Sequence, residues 1–440
     1  MNINPYGKDR TNKALKPTIR EICSICGVAG VSIGVTHRGE VIYKESFGFR
    51  DVEGRIKGDD DTIYYLGSMT KGFTAEAVGI LAEEGKLKGR APSRTSSPDS
   101  NRTTMLSTTT AQSNNKILLT REQALRTINQ LRAVTPFRGE YRYNNWGYEI
   151  AGRVIENITE KRFSEFPSEK IFEPLGMART FNNDSECHGS YNVAKGYMTF
   201  DDASPYPVPR PHMAEGTLMN PAGVIQSTVN DLLKYYVALM KSLNDQYQSG
   251  KTSTPGSPLK QLTQVLSTNI RTAPSLREQS YAMGWARVQL PGRLCDTSRN
   301  QVTMPRMPVI GNPEHPRLTL YHHGMLVGFN NAVHLFPETE TAVLLLSNAV
   351  ATNDGSDWIG HLIIQTLFND PVKHDYVALA RDTLAFGLET YDRIDLGKCY
   401  NEVKTFFMDI SLKGDELWMN LQGNAVENYR LKHHNGDEFS

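Results

Sequence analysis

The chain has 440 residues, 39% of them hydrophobic, with 48 basic side chains against 48 acidic ones. That length supports a large core and more than one domain, and a formal net charge of zero leaves no global field to attract nucleic acid or an acidic membrane surface. No apolar run approaches the roughly 20 residues of a membrane span, and the polar opening MNINPYGKDRTNKALKP lacks the apolar stretch of a signal peptide.

Taken in chain order, residues 18–27 read as the end of a helix, with Ile19, Ile22 and Cys26 at helical spacing. Residues 28–36 alternate apolar and small side chains, HRGE turns, and VIYKESFGF alternates again, so a β-hairpin is expected. TIYYLG is a short strand. SMTKGFTAEAVGILAEEG then carries Phe73, Ala77, Ile80 and Leu81 on one helical face, with Gly85 as its stop. Composition changes abruptly over Gly89–Lys116, a Ser/Thr-rich stretch whose only apolar residues are Ala91, Met105, Leu106 and Ala111. It cannot bury enough surface to offset its ordering entropy and reads as a loop or disordered insert. Helical pattern resumes at REQALRTINQLRAV and is expected again around 147–158, 164–175 and 228–243. NDQYQSGKTSTPGSP reads as a second soft linker. Strands follow in YAMGWARVQL, RLTLYHH, NNAVHLF and TAVLLLSN, then helices near 356–368 and 374–388. Three alternating runs close the chain, VKTFFMDISL, ELWMNLQ and AVENYRL, as a small β module.

The pattern is α+β. Strands at both ends of the first 350 residues enclose a mostly helical middle, and sequential hairpins imply an antiparallel sheet flanked by helices. Five cysteines make no disulfide framework in so long a chain, which fits a reduced, cytoplasmic setting. Cys23-x-x-Cys26 has no second pair beside it and reads as ordinary buried thiols.

The chemistry begins at Ser68-Met69-Thr70-Lys71. Three residues on a helix is one turn, so both side chains share a face. Ser68 opens that helix, where backbone N–H groups and the dipole favour developing negative charge. A serine hydroxyl needs a base to become a nucleophile, and a partly buried lysine with a lowered pKa can serve. The motif alone is weak, because Ser257 and Lys260 repeat it in a Pro/Gly-rich stretch. Gly30-Val31-Ser32-Ile33-Gly34 matches the G-x-S-x-G nucleophile elbow, but its serine lies inside a strand leading to a hairpin rather than on a strand-to-helix turn. Gly250-Lys251-Thr252 resembles the end of a phosphate-binding loop, yet Asp245 stands where the first glycine is required.

Two further pieces follow in order: Tyr143-Asn144-Asn145, and His322-His323-Gly324 with Gly328-Phe329 beyond it. Tyr143, set among Tyr141, Trp146 and Tyr148, also reads as aromatic core. Adjacent strand residues point to opposite faces, so His322 and His323 cannot readily chelate one ion. His323 is expected to be a packed or surface histidine.

The order S-x-x-K, Y-x-N, H-x-G resembles the serine β-lactamase-related family, which includes class C β-lactamases, penicillin-binding proteins, D-Ala-D-Ala peptidases and the lovastatin-pathway acyltransferase. GVAGVSIGVTHRGEVIYKESFGFRDVEG, IFEPLGM, NPAGVIQSTVNDLLKYY and YAMGWARV are also similar to that family, over roughly 20–88 and 120–370. The resemblance implies a hydrolase domain at 15–370 with a helical insert at about 75–270, a linker helix at 371–390, and a partial C-terminal β module of the fungal type at 391–440, truncated where the chain stops. It implies Ser68 as the acylated nucleophile, Lys71 as its base, and Tyr143 as a general acid/base whose pKa Lys71 lowers. Asn145, His322 and Gly324 would bind substrate, with His322 replacing the lysine of K-T-G as a weaker, pH-dependent positive charge. The N–H groups of Ser68 and Met325 would form the oxyanion hole. The implied partner is a small-molecule acyl substrate; no cofactor or metal is needed, and oligomeric state is left open. The expected activity is hydrolysis of, or acyl transfer from, an ester, thioester or amide, possible roles including secondary metabolism. The alternatives are a β-lactamase or D-amino-acid peptidase type of amide hydrolase, and a non-catalytic scaffold. The scaffold reading arises because residues 89–116 replace the family's apolar helix and Ser-His-x-x-Gly turn.

Overall fold

A computed structural model describes residues 10–87, 139–183, 191–213, 216–304 and 306–390. It also describes residues 112–113, 116–117, 128 and 136, and tail strands at 397–400, 407–413, 416–421, 428–431, 433–435 and 438–439. Residues 89–111 of the Ser/Thr-rich stretch lie outside that set, as does all of the helix expected over 121–134 except Ile128.

The helix expected to end near residue 27 is α1 (Arg10–Ile25). The hairpin is β1 (Gly30–His37) and β2 (Glu40–Asp51), extended by β3 (Ile56–Lys57). Far along the chain come β4 (Ile270–Arg271), β5 (Gln279–Tyr281), β6 (Ala286–Leu290), β7 (Arg317–Leu326), β8 (Phe329–Phe336) and β9 (Thr341–Ser347). Together they make one nine-stranded sheet in the order β4-β5-β6-β7-β8-β9-β1-β2-β3. Every pairing in it is antiparallel. The first hairpin thus closes against the last strand, Ile33 opposite Leu345, which unites the two ends of the α+β pattern.

Alternation along the strands feeds two cores. Leu320, Val333, Leu335, Leu344 and Leu346 face a helical layer. That layer holds α2 (Thr70–Glu83), α3 (Asn145–Thr159) and α4 (Val229–Ser249). Tyr321, Ala332, Phe336, Val343 and Leu345 face the other way. There they meet α1 with α5 (Gly355–Leu367) and α6 (Tyr376–Thr390).

Helix α2 differs from its expected single apolar face. Every residue from Thr70 to Leu81 is buried, including Lys71, Thr74 and Glu76. It runs through the centre of its layer, where Phe73 stacks on Tyr235 with ring centroids 4.2 Å apart, a contact worth about 0.5–1.5 kcal/mol beyond area burial. The second soft linker is also corrected. Its first part, through Ser249, continues α4 because Leu243 and Gln246 are buried there. The rest is pinned by Thr254 Oγ1 donating to Asp245 Oδ2 at 2.6 Å and Ser242 Oγ donating to Ser257 Oγ at 2.7 Å. The helix expected at 164–175 is a short turn, Glu165–Pro167, running into a π-helical Ser168–Phe172. In the tail, strands Gly397–Tyr400, Phe407–Lys413, Glu416–Leu421 and Asn428–Leu431 form an antiparallel meander. Among the described residues no helix is long and apolar enough to cross a membrane.

Candidate active site

Ser68 occupies a 3₁₀ turn, Gly67–Met69, that runs directly into α2. Its side chain keeps partial exposure while Gly67, Met69 and Thr70 around it are buried. One turn on, Lys71 is fully buried. Its Nζ donates to Ser68 Oγ at 2.7 Å and to the Ala222 carbonyl at 2.9 Å. Burial holds the ammonium pKa well below its ordinary value, because a buried charge loses its hydration. The segment supplying the Ala222 carbonyl braces the turn elsewhere. Leu66 N–H donates to the Ile225 carbonyl at 2.8 Å, Ile225 N–H to Thr70 Oγ1 at 3.1 Å, and Thr74 Oγ1 to the Pro221 carbonyl at 2.6 Å.

Tyr143 and Asn145 arrive from the start of α3. Asn144 caps that helix, accepting from Trp146 N–H at 2.9 Å and Gly147 N–H at 3.4 Å. The cap turns the chain so that Tyr143 lies just outside the helix and Asn145 is its first residue. Lys71 Nζ lies 5.1 Å from the centre of the Tyr143 ring and 5.3 Å from that of Tyr148. Burial raises the Tyr143 pKa, and a hydrogen bond with Ser68 only partly offsets it. This corrects the expectation that Lys71 lowers it: burial of the phenol outweighs what its neighbours contribute.

The third piece is carried by β7. A Cβ added at Gly324 would stand 1.9 Å from the Leu66 carbonyl oxygen, so only glycine lets the strand pass the Ser68 turn. Gly67 answers from the other side. Its φ of +55° suits glycine, and an added Cβ would lie 2.8 Å from the Met325 carbonyl oxygen and 2.9 Å from the Met325 nitrogen. The backbones at Ser68 and Met325 are therefore neighbours. His322 is buried, with its Nδ1 against the His323 carbonyl and its Nε2 2.9 Å from Tyr281 Oη. A carbonyl can only accept, so Nδ1 carries the proton and Tyr281 donates to Nε2. Burial, with Lys71 nearby, pushes the His322 pKa down to about 3. The expected pH-dependent positive charge is thus corrected to a neutral imidazole.

The other sequence candidates lie elsewhere. Ser32 is buried in β1, bonded to Ser46 Oγ and Tyr64 Oη, each at 2.9 Å, and to the Asp59 carbonyl at 3.1 Å. Lys260 Nζ donates to the Ser257 carbonyl at 2.8 Å rather than to its hydroxyl. Cys23 and Cys26 are free thiols, and burial pushes Cys23 up to about 12 and Cys26 well above its ordinary value.

Three residues not singled out from sequence help build the site. Tyr148 Oη accepts from Gly284 N–H at 2.8 Å and approaches Tyr281 Oη at 3.5 Å, which links α3 to β5 behind Lys71. Asn331, fully buried in β8, donates from Nδ2 to the carbonyls of Tyr65 at 2.9 Å and Gly324 at 3.2 Å, and accepts from Ser347 N–H at 3.0 Å. The pair of amides Asn330-Asn331 at the start of an otherwise largely apolar central strand was the available signal. Among the described residues, the one His/Cys/Asp/Glu cluster with metal-ligand spacing is His323, His334 and Asp357, on the opposite face of the sheet.

A family model described as Beta-lactamase matches residues 15–366. The chain is similar to an unguisins hydrolase of Aspergillus violaceofuscus, 24% identical over 393 residues, which cover 80% of this chain and 63% of the relative. It is also similar to protein flp of Staphylococcus aureus strain MRSA252, 23% identical over 344 residues, covering 73% of this chain and 60% of flp. The chain therefore spans less than two thirds of the length of these relatives. Among solved structures, the octameric penicillin-binding protein homologue of Pyrococcus abyssi superposes with a TM-score of 0.65 at 21% identity, covering 96% of this chain and 90% of its own. A penicillin-binding protein of Bacillus halodurans gives 0.59 at 17% identity, over 80% of this chain and 99% of its own.

Proposed function

This chain belongs to the β-lactamase family, and from that premise we propose that it is a serine-dependent acyl-enzyme hydrolase in which Ser68 is acylated by an ester, thioester or amide. The observation that carries the reading is the buried Lys71 amine, 2.7 Å from Ser68 Oγ and held toward its neutral form. A neutral amine accepts the Ser68 proton as Oγ attacks the acyl carbon, the step that makes a weak hydroxyl nucleophilic. The N–H groups of Ser68 and Met325 receive the oxyanion. Tyr143, protonated and bonded to Ser68, passes its proton to the leaving group and regains one from the Lys71 ammonium formed in the attack, so that both groups return to their starting forms. Asn145 and the β7 edge at Gly324 hold the acyl portion, and His322, tied to Tyr281, gives that edge a neutral polar wall. The role as a hydrolase is supported by the printed name of one relative, an unguisins hydrolase; transfer to a second alcohol uses the same acyl-enzyme and differs only in the acceptor.

A p-nitrophenyl ester tests the reading. Rapid mixing should give a burst of nitrophenol, with an intact-mass increase of one acyl group per chain. Turnover with no acyl-enzyme, or no turnover of esters, thioesters or amides at all, retires it and leaves the non-catalytic scaffold.

A further inference from the structure

Adjacent residues of β7 face opposite layers, so His322 points to the site and His323 to the far side of the sheet. On that far side His323 meets His334 of β8 and Asp357 of α5, and one ligand atom from each lies within 4.8 Å of the other two. His323 Nε2 is 3.0 Å from Asp357 Oδ1, and His361, one turn along α5, places its Nε2 3.1 Å from the same oxygen. His323 is 4% exposed and the other three are fully buried. The surroundings orient these groups in the way that ligand side chains are held. Thr297 Oγ1 meets His323 Nδ1 at 2.9 Å, leaving Nε2 turned inward. Ser298 Oγ at 2.6 Å and Asn300 Nδ2 at 2.9 Å both donate to Asp357 Oδ2, leaving Oδ1 turned inward.

A buried ion pair accounts for His323 and Asp357 but not for His334. Both ring nitrogens of His334 are buried without a hydrogen-bond partner. An unpaired buried polar group costs about 1–3 kcal/mol, and each such group in a folded protein calls for an explanation. We propose that His323, His334 and Asp357 bind one divalent transition-metal ion behind the sheet, with zinc the best match. Two imidazoles and a carboxylate are borderline nitrogen and oxygen donors suited to that ion, and His334 thereby gains its missing partner. The site is buried and lies on the opposite face from Ser68, so the ion acts as a structural pin joining β7, β8 and α5. Through β7 it also holds the strand that carries His322, Gly324 and Met325.

The test uses the full chain expressed in minimal medium supplemented with zinc or cobalt and then desalted through EDTA. Metal analysis should find one retained ion per chain, and the cobalt form should show visible d–d absorption. His334→Gln, which keeps size and polarity, should lose the ion, whereas His315→Gln on the exposed surface should keep it. X-ray absorption on the wild-type zinc form reads the ligands without relying on any variant, and should show nitrogen and oxygen donors only. A wild type that retains no ion, an ion that survives in His334→Gln, or a sulfur ligand would each overturn the assignment.

Discussion

Lys71 Nζ is bonded to Ser68 Oγ at 2.7 Å from a fully buried position, and it also donates to the Ala222 carbonyl at 2.9 Å. Both partners are neutral, and burial drives the amine toward its unprotonated form. Protonation around the serine differs from that expected on sequence alone at two groups: Tyr143 is held toward its protonated form and His322 toward its uncharged form.

Ser68 should be the sole covalent nucleophile. A fluorophosphonate probe is expected to add once per chain, with the adduct lost in Ser68→Ala and kept in Ser32→Ala and Ser257→Ala. Ser32 is occupied by three hydrogen bonds inside a strand. Peptide mapping of an adduct to either of those serines would reject the assignment.

Lys71→Met should lose roughly 10²–10⁴-fold in acylation rate, the usual worth of a general base. Its stability should behave differently. The folded-state pKa of Lys71 lies below the unfolded value, so between the two the unfolded chain binds the extra proton and wild-type stability rises with pH. Lys71→Met removes that titration and should match or exceed the wild-type Tm at neutral pH. The rate of the wild type should fall toward acid as Lys71 protonates. An acylation rate that is flat down to acid pH would exclude Lys71 as the base.

Tyr143→Phe keeps the ring beside Lys71 and removes the hydroxyl. Turnover should drop by about 10²–10⁴-fold with little change in Tm. Kinetics matched to a melting curve decide between acid/base and aromatic core; unchanged turnover assigns Tyr143 to packing.

Esters and thioesters should react faster than cephalosporins. His322, lowered to about 3, brings no positive charge to a substrate carboxylate. The ratio of kcat/KM for a neutral ester to that for a chromogenic cephalosporin should favour the ester and stay constant over roughly pH 5 to 8, where an ordinary histidine would titrate. A cephalosporin preference of about tenfold, equivalent to 1.4 kcal/mol, would refute this.

Gly324→Ala places a Cβ where the Leu66 carbonyl stands, 1.9 Å away. Overpacking of this kind costs about 1–3 kcal/mol, and a shift of about 1 Å between β7 and the Ser68 turn can cost 10²-fold in rate. Thermal melts and phosphonate-labelling rates should both fall. A variant that labels at the wild-type rate would show that the strand edge does not set the nucleophile's geometry.

The sequence by itself determined the order of the three motifs and the alternation of the strands. It also determined the antiparallel hairpins and the rejection of Ser32, because these depend on local spacing and on which residue types suit a turn, a strand or a helix start. Only the tertiary structure decided which of two S-x-x-K pairs joins its own hydroxyl, since Lys71 and Lys260 differ in what the rest of the chain packs around them. It alone decided in which direction the pKa values of Tyr143 and His322 move, because they follow burial and neighbours that no local pattern encodes. Asn331 and His334 belong to the same class. Each lies in β8 among apolar residues, and what it binds depends on chain brought in from tens to hundreds of residues away. The tie from Asn331 to the Tyr65 carbonyl, at 2.9 Å, spans 266 positions in sequence.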